Sequence, residues 1–164
     1  MRSSCLLVLV SLAAGTAWAK DACSLVTAGD VRAVIGEEVH QVPAGIIPPS
    51  GPGLEYSSCR FKTASKTRTV SLLARYSKGR PNDSITELVA KMRSQKLPGV
   101  REISGVGDGA VWDGGPLSKT SGSYQLTFMK GKFIFLLITL TGSFTEAGAL
   151  EQAKALAAKI LPRA

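Results

Sequence analysis

Two stretches of strict alternation, separated by four residues, constrain this chain more than any other feature. From Tyr56 to Thr63, Cys59, Phe61 and Thr63 fall on one side of an extended chain, and Arg60 and Lys62 fall on the other. From Arg68 to Tyr76, Val70, Leu72, Ala74 and Tyr76 share a side. Period-two alternation marks a strand with one covered face. A connection as short as Ala64–Thr67 joins antiparallel neighbours, because a parallel crossover needs a dozen residues or more. A second hairpin is predicted from Tyr124–Met129 and Phe133–Thr141, turning at Lys130-Gly131, where glycine accepts a positive φ. Its last strand, Phe133 to Leu140, is apolar on both faces. Either helices and loops cover both faces, or one face is an interface.

Helical signals flank and separate these hairpins. Thr27 caps a short helix with Asp30 in its first turn, Val31, Val34 and Ile35 as its stripe, and Gly36 at its end. Ser84-Ile85-Thr86-Glu87 is a capping box, followed by Leu88, Val89 and Met92 at helical spacing, with Pro98-Gly99 as the stop. Thr145 opens a final helix carrying Leu150, Ala153, Leu156, Ala157, Ile160 and Leu161 along one side. Val42 to Gly53 holds four prolines and three glycines and reads as a loop; Ile46 and Ile47 are expected to dock on the core, the alternative being that they are presented to a partner. Arg101–Ser104 and Ala110–Trp112 are short strands around the glycine turn Gly105-Val106-Gly107-Asp108-Gly109. The element order is helix, two or three strands, helix, three or four strands, helix. That is an α+β fold, an antiparallel sheet with helices packed on it.

The length of 164 residues fits one domain once the first segment is set aside. Arg2, the apolar run Cys5–Ala14 and the small residues of Ala17-Trp18-Ala19 read as a signal peptide over residues 1–19, cleaved before Lys20. The alternative, an anchor helix, needs about 20 apolar residues. The expected product is a single exported domain, residues 20–164, periplasmic or secreted, without a transmembrane span. Two cysteines remain, Cys23 and Cys59. An even pair in an exported chain reads as one disulfide. Two cysteines and one histidine at scattered spacing fit no zinc pattern, and no base flanks either sulfur.

Charge is unevenly placed. Between Arg60 and Arg101 stand 11 basic and 2 acidic residues, a net of +9 in a chain of net charge +8. Arg60, Lys62, Lys66, Arg68, Arg75, Lys78 and Arg80 are the candidates for an anion-binding patch on the first hairpin. Its partner would be an anionic envelope component or an acidic protein. The competing reading is a solvated face that keeps the protein soluble. Nucleic acid is not expected, because no aromatic residues interleave the charges.

Catalytic chemistry finds no footing. His40 is the only histidine, and an exposed strand-edge position accounts for it. No base partners the serines of Ser121–Ser123. Gly105-Val106-Gly107-Asp108-Gly109-Ala110 lacks the third glycine and the following helix of a dinucleotide fingerprint. Gly105, Gly107 and Asp108 therefore read as a structural turn, with Asp108 bonding the backbone of its own turn. Asp113 reads as a turn former too. No metal and no cofactor are expected.

The run Ala22-Cys23-Ser24-Leu25-Val26-Thr27, the helix ending Val34-Ile35-Gly36, the strand cysteine in Ser58-Cys59-Arg60-Phe61 and the Gly105–Ala110 turn resemble a family of secreted bacterial envelope proteins of unknown function. Its members open with Cys-Ser-Leu-Leu-Thr, and many are lipoproteins. This chain lacks the lipobox. The resemblance implies an α+β sandwich like that of PsbP-like domains, adds support for a Cys23–Cys59 disulfide, and transfers no catalytic residue. The functional expectation is a non-catalytic binding or accessory module. The alternatives are a protein–protein or homodimer module on the apolar sheet face and, third, an enzyme with a dispersed site.

Overall fold

A computed structural model of the chain describes residues 21–45, 47–48 and 51–164. The expected signal peptide and Ile46 lie outside the described residues. Eleven elements follow in order: α1 (Ala22–Leu25), α2 (Ala28–Ile35), β1 (Val39–Val42), β2 (Leu54–Thr63), β3 (Arg68–Ser77), α3 (Ile85–Ser94), β4 (Arg101–Ile103), β5 (Ala110–Pro116), β6 (Gly122–Lys130), β7 (Ile134–Gly142) and α4 (Glu146–Ile160). The expected α+β class holds. All seven strands form one antiparallel sheet in the order β1-β2-β3-β7-β6-β5-β4.

Local chemistry sets the helix ends as the sequence implies. The Thr27 hydroxyl accepts from Asp30 N–H, and the Asp30 carboxylate accepts from Thr27 N–H, which closes a capping box on α2. Gly36 ends that helix in the left-handed region at φ 77°. Ser84 and Glu87 form the same reciprocal cap on α3. Two differences are local. Helix α3 ends at Ser94, ahead of Pro98, because Lys96 turns left-handed at φ 56°. The β6–β7 connection is three residues, Gly131–Phe133, since Lys130 pairs with Ile134.

The two hairpins meet at the sheet centre. β3 lies antiparallel to β7, with Leu72 opposite Ile138 and Ala74 opposite Leu136. On this inner face Phe61, Leu72, Leu126, Phe128, Leu136, Ile138 and Leu140 are buried under α1, α2 and α4. Helix α4 presents Ala149, Ala153 and Ala157 together with Leu156 and Ile160, all buried, and its small residues let the backbone sit close to the sheet. Arg163 clasps the far end. It donates to Asp30 at 2.5 Å and to the Leu25 carbonyl at 3.2 Å, tying the C-terminus to the first two helices.

Helix α3 is the exception. It packs on the outer face over β4 and β5, where Val89 and Met92 bury Val111. The chain leaves β3 at one end of the sheet, crosses the outer face as α3, and begins again at the opposite edge as β4. The outer face of β2, β3 and β7 stays partly exposed at Leu73, Phe135 and Leu137. The both-sided apolar character of β7 is thus divided, with Leu136, Ile138 and Leu140 buried inward and Phe135 and Leu137 half-covered outward.

Cys23 of α1 and Cys59 of β2 form the expected disulfide. It pins the first helix onto the inner face through a residue that is 1% exposed. Replacing both cysteines by alanine removes a closed loop of 37 residues. The chain-entropy account puts the loss near 4 kcal/mol. Urea denaturation of the double variant is expected to show a lowered midpoint and a steeper slope, because the denatured chain opens further without the cross-link. An unchanged midpoint would mean that the inner-face packing alone holds α1 in place.

Candidate functional site

The outer face gathers the side chains that the inner core has no use for. Alternation puts Tyr56, Ser58, Arg60 and Lys62 of β2 there. Register sets them beside Arg75, Leu73, Ser71 and Thr69 of β3, and β7 continues the rows with Phe135, Leu137, Thr139 and Thr141. The basic residues of the hairpin do not form one patch. Arg60, Lys62 and Arg75 stand on this face, and Arg80 follows in the crossing segment. None of these four meets a carboxylate among the described residues. The Arg60 guanidinium lies against Gly45, where an added Cβ would come within 1.8 Å of Nη2. Lys62 is exposed, opposite His40 of edge strand β1.

Three of the expected patch residues are placed otherwise. Arg68 belongs to the inner-face side of β3. It pairs with Glu37 at 3.1 Å, donates to the Ser143 carbonyl and covers the Phe144 ring at 5.0 Å. Lys66 sits in the hairpin turn at φ 59°. Lys78 is paired with Glu55. The formal charge of the segment therefore overstates what the face offers.

Arg75 is held differently from the paired cations. Its guanidinium lies 4.3 Å from the centre of the Phe135 ring, and Nη2 donates to Asn82 Oδ1 at 2.8 Å. Ser77 Oγ donates to the same oxygen at 2.8 Å, so the amide is oriented by two donors. Arg75 Nε and Asn82 Nδ2 are buried without a hydrogen-bond partner. Arg75 Nη1 has no partner among the described residues. Around them opens a pocket of about 270 Å³ lined by Pro52, Arg75, Ser77, Lys78, Arg80 and Asn82, with one carboxylate, Asp83, also on its wall. Asn82 N–H donates to the Lys132 carbonyl at 2.8 Å, which seats the crossing segment on the β6–β7 turn. Pro81 and Asn82 also wall a larger cleft of about 830 Å³ floored by Ile85, Ile103, Ala110 and Met129.

The glycine segment forms a turn between β4 and β5, while the two aspartates are placed otherwise than expected. Gly105 and Gly107 are left-handed, at φ 76° and 57°. A Cβ on Gly107 would stand 2.2 Å from the Met129 carbonyl, so this turn is a close approach of backbone to β6. Asp108 does not bond its own turn. Its Oδ2 accepts from Gly131 N–H at 2.5 Å, linking the β4–β5 and β6–β7 turns. Asp113 is not a turn residue. It lies in β5 opposite Gln125, 6% exposed, beside the Leu97–Gly99 segment whose Pro98 carbonyl accepts from Gly114 N–H. Burial pushes its carboxyl up to about 6. Ile47 is 39% exposed and does not dock on the core. His40 is exposed on its edge strand. Among the described residues no group of acids, histidines and cysteines could hold a metal ion, and no helix is long and apolar enough to cross a membrane.

The sequence pointed to Arg75 through alternation. It gave no signal for Asn82 or Ser77, whose roles depend on where the crossing segment lands. Asp113, next to Ala110-Val111-Trp112, carried a faint signal as an acid inside an apolar run. No protein family matches this chain, and no curated protein matches it either.

Asp113 makes stability depend on pH in a defined sense. Its folded pKa is raised, so the neutral form favours folding. That contribution is full below about pH 4 and is lost as pH rises through about 6. Asp30 acts oppositely and lower. Its hydrogen bond from Arg163 holds its carboxyl well below the usual carboxylate range, and its contribution is lost only as the solution becomes strongly acid. Asp113→Asn is expected to raise stability at pH 7 by up to about 3 kcal/mol and to change it little at pH 4. Urea midpoints of both proteins at the two pH values test this, and an equal gain at both would remove the ionisation as its cause.

Proposed function

We propose that the protein is a non-catalytic, exported binding module of the cell envelope that takes anionic partners on the outer face of its sheet. The observation that carries this reading is that Arg60, Lys62 and Arg75, on a face left partly exposed, and Arg80, in the crossing segment beside it, are paired with no acid among the described residues. Unneutralised charge on one face raises the local concentration of anions and steers their approach. Export rests on the signal-like first segment. The non-catalytic reading rests on the sole histidine standing exposed at the sheet edge, away from the Arg75 pocket. The resemblance to secreted envelope proteins points the same way.

A second reading draws on Leu73, Phe135 and Leu137, which are half-exposed on that same face. They would serve a protein partner or a second copy of the chain. Sedimentation equilibrium across a wide concentration range separates the two readings. A monomer throughout counts against self-association.

Binding of purified residues 20–164 to vesicles rich in anionic lipid, and to an anionic envelope polysaccharide, tests the main reading. Affinity is expected to fall steeply with salt. Each basic residue near a charged surface is worth about 1 kcal/mol, so Arg60→Glu with Lys62→Glu is expected to weaken binding more than about thirtyfold. Binding unchanged by that double reversal would overturn the face as the working surface.

A further inference from the structure

We infer that the Arg75 pocket is a site for a small soluble oxyanion, a carboxylate or phosphate attached directly to an apolar ring or short chain. The inference rests on the anion-binding reading above and names the ligand class for it. The acid would meet Arg75 Nη1 and Arg80 in the pocket, and the apolar part would lie outside the pocket lining, on Leu73 and Leu137 one row along the sheet.

The acid end follows from how Arg75 is held. Arginine is always charged and is usually fixed by a carboxylate. Here Phe135, an aromatic face, and Asn82 Oδ1, a neutral acceptor, fix it. Both supports orient the guanidinium without cancelling its charge. Nη2 is spent on Asn82 and Nε is buried, which leaves Nη1 as the donor a ligand can reach. Arg80 lines the same pocket; so does the carboxylate of Asp83, which is paired with neither arginine. A volume of about 270 Å³ admits a carboxylate or phosphate group and no folded partner.

The apolar end follows from the rows of the sheet. Arg75 is opposite Phe135, the next outward row is Leu73 opposite Leu137, and the row after that is Ser71 opposite Thr139. Ser58 of β2 and Thr127 of β6 bound the Leu73–Leu137 row on either side. The exposed apolar surface is therefore an island two strands wide at that row, while in the neighbouring row Tyr56 and the buried Met129 flank Arg75 and Phe135. From Arg75 to the polar row is roughly 13 Å at 3.3 Å per residue, and the island spans roughly 10 Å across strands. An area on the order of 130 Å² is far below the ~800 Å² that each partner of a stable protein interface buries. A ring or a chain of up to about eight carbons fills that length, and a membrane-lipid chain overruns onto Ser71 and Thr139.

The test compares phenyl phosphate with inorganic phosphate, and benzoate with acetate, by nitrogen–proton NMR that follows the Arg75 Nε–H resonance. The ring-bearing anion is expected to bind about tenfold more tightly than its bare counterpart and to shift that resonance. Arg75→Lys keeps the positive charge but loses the planar fork, and is expected to abolish binding of both members of each pair. Leu73→Ser with Leu137→Ser, at half-exposed positions, is expected to remove the preference for the ring while leaving phosphate binding intact. Equal affinity for ring-bearing and bare anions would overturn the inference and leave the anion-binding face standing. Vesicle or polysaccharide binding that survives Arg75→Lys, with no binding of the small anions, would do the same. No binding of any anion would overturn both.

Discussion

The pairing of β3 with β7 is the constraint on which the remaining architecture depends. It joins two antiparallel hairpins that are far apart in sequence, with nine residue pairs in register from Arg68↔Gly142 to Tyr76↔Ile134. Once those strands are neighbours, their inner side chains form one apolar surface that must be covered, and α1, α2 and α4 cover it. The inner face is then full. The connection from β3 to the distant edge strand β4 is left with the outer face, and α3 settles over β4 and β5. The partly exposed surface of β2, β3 and β7 is the remainder of that packing problem, and so is the pocket where the crossing segment begins.

Much of this was legible because the signals were local. Alternation in Tyr56–Thr63 and Arg68–Tyr76 assigned Cys59, Phe61, Leu72 and Ala74 to the core and Arg60, Lys62 and Arg75 to the other side, as observed. Capping residues fixed the starts of α2, α3 and α4, since a cap is an interaction between residues three apart. The two cysteines fixed the tie between α1 and β2.

What was not legible depended on contacts distant in sequence. Arg68 reads as part of a basic run, yet Glu37 and Phe144 claim it, from a helix exit and a strand exit that the fold brings together. Asp108 reads as a turn residue bonded to itself, yet it bonds Gly131, because the two turns share one end of the sheet. Asp113 reads as a turn former, yet β5 extends through it to Pro116 and buries it opposite Gln125. In each case the residue type was informative and its partner was hidden. A polar side chain has several neighbours that could satisfy it locally, and tertiary structure selects among them.

The cations divide by the company they keep, and that division bears on function. Arg163 meets Asp30, Arg68 meets Glu37, Arg101 meets Glu146 and Lys78 meets Glu55. Each of these pairs connects elements separated in sequence, and each leaves little net field. Their gain is structural, and for the more exposed ones it is small. Arg75 is the contrast. Its supports are a ring and an amide oxygen, so its position is specified as closely as that of Arg163 while its charge stays available. A cation needed only for solubility requires no such support, since a lysine at the surface serves equally. The oriented guanidinium, paired with no acid at the mouth of a pocket, is therefore the feature that a solvated-face account leaves unexplained, and the oxyanion proposed above would be its partner.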